Sequence, residues 1–141
     1  MQRYPQVKVG VSVLLTSGQY LLLAQRQGSH GAGTWDTPGG HLDPGERVIA
    51  CALRETQEET GLKLDPDCVI DLGYTEDFFE QEGKHYISCV VTCEIVGSAC
   101  KPAVLEKHKF STEWLWFDIN NLPEPLFTPV ANAVRKFVKR G

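Results

Sequence analysis

No run of this sequence approaches the roughly 20 apolar residues that a bilayer-spanning helix requires, so no membrane partner is expected. The start, MQRYPQVKVG, lacks the charged opening and long apolar stretch of a secretory leader, which leaves a cytoplasmic location as the expectation. There is no excess of basic charge either. Lys and Arg number 14 against 18 Asp and Glu, for a net charge of −4. A protein that coats a nucleic acid polymer needs a strong basic patch, so none is expected as partner. A small phosphorylated ligand needs only a few local cations and stays open. The five cysteines, Cys51, Cys68, Cys89, Cys93 and Cys100, are odd in number and show no CxxC pair. No His/Cys cluster has zinc-ligand spacing. Reduced thiols, several of them buried, are the expectation. Internal repeats and linkers are absent too.

What is present suits one compact domain spanning 1–141. The chain is 42% hydrophobic and 23% charged, ordinary for a globular protein. VKVGVSVLL and YLLLA, separated by TSGQ, read as a β-hairpin. The glycine-rich stretch QGSHGAGTWDTPGGHLDPGE reads as one long loop, and loops of that length are often functional. Asp43-Pro44-Gly45-Glu46 reads as a helix start, with Asp43 as N-cap and Glu46 closing a capping box. Ile49, Leu53, Thr56 and Thr60 share one face of that helix, and Gly61 ends it. VIDLGYTEDFF and HYISCVVTCEI read as strands joined by EQEGK, and a further strand lies around Trp114 to Phe117. A last helix is predicted from about Pro129 to Lys139, with Val130, Val134, Phe137 and Val138 at helical spacing. The order β-β-loop-α-β-β-β-α indicates a layered α/β fold.

One stretch carries chemistry. In RETQEETG, Glu55 and Glu59 are four apart on a helix face, and Glu58 lies three after Glu55. Like charges at this spacing repel, and the helix C-terminus disfavours anions. The acids are not interleaved with lysines, and they follow a glycine-rich loop that can bring backbone close to a ligand. A solvated acidic face with an Arg54–Glu58 pair is the plain alternative. Clustered carboxylates in an unfavourable place point instead to a hard divalent cation such as Mg²⁺, which binds through a few carboxylates plus substrate phosphates.

Gly40, five residues, Glu46, seven residues, then Arg54-Glu55-Thr56-Gln57-Glu58-Glu59-Thr60-Gly61-Leu62 resembles the Nudix box, Gly-x5-Glu-x7-Arg-Glu-U-x-Glu-Glu-x-Gly-U, with U a bulky aliphatic. Every fixed position matches, and only the first U departs, as Thr56. The resemblance implies an α/β/α sandwich around a mixed β-sheet and Mg²⁺-dependent hydrolysis of a diphosphate linked to another group, with Mn²⁺ as a substitute. It implies that Glu55, Glu58 and Glu59 ligate the metal, helped by a carbonyl of Gly39 or Gly40. Arg54 and Glu46 would pair to orient them. Which glutamate serves as base stays open.

QRQGSHGAGTWDTPGGHLDPGE and LEKHKFSTEWLWFDINNLPEPLFTPV further resemble the MutT-like nucleotide-sanitising branch of that family, including thiopurine-nucleotide hydrolases and their plant relatives. That branch implies a nucleoside triphosphate, modified or oxidised deoxynucleotides included, cleaved to monophosphate and pyrophosphate by a homodimer. The alternatives are a nucleotide sugar, ADP-ribose or a prenyl diphosphate as substrate, or a non-catalytic binding module. Arg26 either faces substrate phosphate or ends a strand in solvent. Glu106 either reaches the metal from another loop or sits beside Lys107 at the surface. Thr34 and Trp35 border a nucleobase, unless Trp35 is a core aromatic. Trp114 and Trp116 are two apart on a strand, the pattern of core packing. His41 lies near the phosphates or structures the loop, and His30, His85 and His108 form no constellation. Phe127 and Thr128 complete the candidate base pocket, with Thr128 standing where several relatives carry Trp.

Overall fold

The computed structural model describes residues 4–28, 30–96 and 102–139. Cys100 lies outside these residues, and the other four cysteines are free. The chain runs β1 (Val7–Ser17), β2 (Tyr20–Gln25), β3 (Trp35–Asp36), β4 (Gly39–His41), α1 (Val48–Thr60), β5 (Val69–Phe79), β6 (Lys84–Glu94), β7 (Leu115–Asp118) and α2 (Thr128–Phe137). The strands form one mixed sheet in the order β3-β2-β1-β6-β5, with β4 paired to β1 and β7 to β2. β1 runs parallel to β6, and every other named strand pair is antiparallel.

Period-two alternation divides the core between the two sheet faces. Val11, Val13 and Leu15 of β1, Leu22 and Ala24 of β2, and Val91 and Cys93 of β6 turn to one face, with Cys51 and Ala52 of α1. Leu14, Leu21, Leu23 and Val90 turn to the other, with Val130, Ala133 and Val134 of α2. A helix thus covers each face, which is the α/β/α sandwich. Trp114 is buried, and Trp116 packs against the same cluster, as two-residue spacing requires.

The helix start differs from expectation. Asp43 to Glu46 form a turn in which Glu46 N–H donates to the Asp43 carbonyl at 3.0 Å. Gly45 has φ +81°, outside the helical region, so the helix cannot begin there. It begins at Val48 with no side-chain cap. Glu46 does reach back, accepting from Asp43 N–H at 3.2 Å. Gly61 ends the helix in the left-handed conformation.

The long loop also holds two short strands, β3 and β4. In β4, Gly39, Gly40 and His41 pair with Ser12, Val11 and Gly10 of β1. This register fixes the loop against the centre of the sheet, beside α1. No helix among the described residues is long and apolar enough to cross a membrane.

Candidate functional site

Arg54 organises the acidic helix. Its Nε and Nη2 donate to both oxygens of Glu46, at 2.7 and 2.9 Å. Its Nη1 donates to Glu55 at 2.8 Å, while Glu58 stands at 3.5 Å. The two bonds from Arg54 hold the Glu46 carboxyl down at about 2. Burial raises Glu55 above the ordinary carboxylate range, against the pull of Arg54 and Lys109.

Glu55, Glu58 and Glu106 converge from two parts of the chain. One ligand oxygen from each lies within 4.8 Å of the others. Opposite ligands of an octahedral Mg²⁺ stand about 4.2 Å apart, and Mg²⁺ takes oxygen donors, so the set fits such an ion with a small side-chain adjustment. The two glycines of β4 make room. A Cβ on Gly40 would fall 2.5 Å from the Glu55 carboxyl carbon, and one on Gly39 would fall 2.1 Å from the Val11 carbonyl oxygen.

Glu59 does not join that cluster. α1 turns it into the core, fully buried. One oxygen accepts from Gly39 N–H at 2.8 Å, the other from Lys109 Nζ, and its backbone carbonyl accepts from the Trp114 indole at 3.2 Å. Burial raises the Glu59 carboxyl above the ordinary carboxylate range, while Lys109 and the Gly39 N–H pull it back down. Lys109 is itself burdened by burial, yet Glu59 and Asp36 raise it above its ordinary value. Both Glu59 oxygens face donors, which leaves no acceptor for a carboxylic proton; the pair is therefore charged.

The cluster opens into a cleft of about 550 Å³. Phe79, Tyr86, Phe127 and His30 line it on one side, and Lys8, Lys84, Arg26 and Lys109 bring cations to it. His30 sits 4.7 Å from Phe79 and 5.3 Å from Phe127, centroid to centroid. It bonds Glu82 at 2.5 Å, so it does belong to a constellation. Burial lowers His30, with Glu82 opposing, and lowers His41, with Lys8 adding to the effect. His41 stacks on Tyr86 at 5.6 Å, and Gly39, Gly40 and His41 all line the cleft.

Several expected pocket residues stand elsewhere. Trp35 packs on Phe117 at 5.1 Å in the α2-side core, because β3 pairs with β2 and turns the indole inward. Thr34 donates its hydroxyl to the Gly31 carbonyl at 2.6 Å and closes the loop. Thr128 opens α2 and does not line the cleft, whereas Phe127 does. Arg26 lines it with its guanidinium engaged. The guanidinium bonds Asp36 at 2.7 Å and the His30 carbonyl at 3.1 Å, and lies 4.3 Å above the Phe127 ring. Burial raises Asp36, with Arg26 opposing.

Lys109, Phe79 and Tyr86 carry no local signal in the sequence. Lys109 lies 50 residues from Glu59 and is one lysine among several. Phe79 and Tyr86 read as ordinary strand residues until β5 and β6 pair.

The family model of the NUDIX domain matches residues 5–140. The chain belongs to the NUDIX family. Among relatives of this NUDIX domain, the human 8-oxo-dGDP phosphatase NUDT18 is 27% identical over 118 residues, covering 84% of this chain and 34% of that protein. The NAD-capped RNA hydrolase NudC of Stutzerimonas stutzeri (strain A1501) is 30% identical over 126 residues, 87% of this chain and 41% of that protein. The chain thus spans only 34% and 41% of these relatives' length. The crystal structure of MutT NUDIX hydrolase from Burkholderia pseudomallei superposes with a TM-score of 0.84 at 26% identity, covering 94% of this chain and 98% of that one.

Proposed function

We propose that this NUDIX domain hydrolyses nucleoside triphosphates, modified or oxidised deoxynucleotides among them, to monophosphate and pyrophosphate. The observation that carries the reading is the convergence of Glu55, Glu58 and Glu106 at a cleft that also has an aromatic wall. Carboxylates with a hard cation suit the phosphates, and Phe79, Tyr86 and Phe127 suit a nucleobase. Relatives named for 8-oxo-dGDP and for NAD-capped RNA support a nucleotide as ligand.

Glu55, Glu58 and Glu106 would hold a Mg²⁺ ion, for which Mn²⁺ substitutes. When bound, such an ion supplies neutralisation of phosphate charge and activation of water. The chain does the rest. Arg54 fixes Glu55 and Glu46. Gly40 lets Glu55 approach the loop backbone. Lys8, Lys84 and Lys109 bring positive charge to the cleft walls. The aromatic side excludes water and orients the base.

The test is a panel of canonical and modified nucleoside triphosphates, with Mg²⁺ and with chelator, and the products identified. Monophosphate and pyrophosphate are expected, with turnover lost on chelation. Orthophosphate as the primary product rejects the triphosphate reading. Turnover restricted to a nucleotide sugar or ADP-ribose would favour a second reading, a diphosphate joined to another group. A pure binding module is disfavoured because every box carboxylate is present. A homodimer is expected in solution, and a monomer by light scattering rejects that part alone.

A further inference from the structure

A buried carboxylate stands behind the floor of the cleft. Asp77 of β5 is fully buried, and its oxygens accept from three side chains. Ser88 Oγ donates to Oδ2 at 2.5 Å, Thr75 Oγ1 donates to Oδ1 at 3.0 Å, and Asn132 Nδ2 of α2 donates to Oδ1 at 2.8 Å. Of these four residues only Ser88 lines the cleft. It lies opposite Gly10 in the β1–β6 register. A Cβ on Gly10 would stand 3.8 Å from Ser88 Oγ and 3.9 Å from Tyr86 Cδ1, so the missing side chain leaves a gap between the hydroxyl and the ring. A serine hydroxyl has one hydrogen to donate and two lone pairs with which to accept. With its hydrogen committed to Asp77, Ser88 can only accept from whatever enters that gap. The amide N–H of Asn132 can only donate, which holds Asp77 in its accepting role in turn.

We propose that Ser88 is a specificity-determining residue: its Oγ accepts a hydrogen bond from the exocyclic amino group of a base lying along Tyr86, and Asp77 is the positioning residue that fixes this polarity. This rests on the nucleoside triphosphate reading above. An amino group satisfies Ser88, whereas the oxo group of the deaminated base sets acceptor against acceptor. Discrimination then comes from leaving a desolvated acceptor without a partner.

The test is kcat/KM of the full chain, with Mg²⁺, for two pairs of deoxynucleoside triphosphates related by deamination, dATP with dITP and dCTP with dUTP. In the pair it hydrolyses faster, the wild type is expected to favour the amino-bearing member about tenfold. Ser88→Ala should bring that ratio near one. Asp77→Asn should invert it. Asn132 and Thr75 keep the amide oxygen at the Oδ1 position, so the amide nitrogen faces Ser88, and the serine hydrogen turns to the cleft as a donor to an oxo group. A merely structural role would lower both members of a pair alike. A folded Ser88→Ala or Asp77→Asn with the wild-type ratio therefore overturns the proposal. So does a wild-type ratio near one, or one that favours the oxo member. If Asp77→Asn does not fold, Ser88→Ala decides. All of these outcomes leave the triphosphate reading standing, because the triphosphates are hydrolysed. Turnover of none of the four removes that reading and this inference together.

Discussion

Arg54 grips both oxygens of Glu46, eight residues back along the chain, at 2.7 and 2.9 Å, while a third nitrogen holds Glu55 at 2.8 Å. The guanidinium fork suits two carboxylates at once, which a lysine cannot reproduce. Arg54→Lys and Arg54→Ala should therefore both lower kcat, by about 10- to 100-fold, through a misplaced Glu55. Wild-type kcat in Arg54→Ala would show that Glu55 needs no such support.

The same pair makes a pH prediction. The folded Glu46 carboxyl is depressed from 4.5 to about 2. Its contribution to stability is therefore full above the unfolded value and is lost as pH falls through the folded one. Glu46→Gln should be less stable than wild type at pH 7. The gap should close between about pH 4.5 and pH 2, read from denaturant midpoints at several pH values. A gap independent of pH would mean the loss is one of packing.

Gly39 and Gly40 are adjacent, yet their substitutions should fail differently. A methyl on Gly39 meets the Val11 carbonyl, which is backbone in a paired strand and cannot move aside. Gly39→Ala should cost about 3 kcal/mol or more in denaturant unfolding. A methyl on Gly40 meets only the Glu55 carboxyl, the free end of a side chain. Gly40→Ala should fold, with Mn²⁺ affinity reduced about tenfold. Equal stability losses would show that both glycines serve the backbone.

The strands and helices that form the sandwich were legible because each carries its period over many residues. Val69–Phe79 and Lys84–Glu94 match stretches of β-rich sequence almost end to end. β3 and β4 were not, since two or three residues of Trp-Asp or Gly-Gly-His show no period. Their pairing is set by β1 and β2. At the site, Glu55 and Glu58 were legible as neighbours because three-residue helical spacing puts them on one face, whereas the pairing of Arg54 with Glu46, which precedes α1, came only from the resemblance to the Nudix box. The fate of Glu59 was not legible, since it is decided by Lys109 from a segment 50 residues away. Thr34, Trp35 and Thr128 were placed at the pocket by position along the chain, and the β3 pairing turns Trp35 into the core instead.

Thr56 gives a stability prediction. The Nudix pattern asks for a bulky aliphatic there, and Thr56 is fully buried with no partner for its hydroxyl among the described residues. A buried hydroxyl without a partner is destabilising, and valine has the same shape without it. Thr56→Val should raise the unfolding free energy by about 1 kcal/mol, seen as a higher urea midpoint at unchanged m. A loss of stability would mean that the hydroxyl is satisfied.

The choice of base should follow the aromatic wall. Phe79 lies 5.4 Å from Phe127 and 5.9 Å from Tyr86, so three rings from β5, β6 and the start of α2 share one side of the cleft. Stacking a base on such a ring is worth about 1–3 kcal/mol, and its strength differs among bases. Phe79→Leu keeps an apolar side chain but removes the π face. It should raise KM about tenfold for the preferred nucleotide and re-rank the panel, with kcat little changed because the carboxylates are untouched. Thr128→Trp and Trp35→Leu act away from the cleft lining. Thr128→Trp should leave the ranking as it is, and Trp35→Leu should lower stability without re-ranking. Re-ranking by Thr128→Trp, with none by Phe79→Leu, would move the base pocket to the start of α2 and away from the β5–β6 wall.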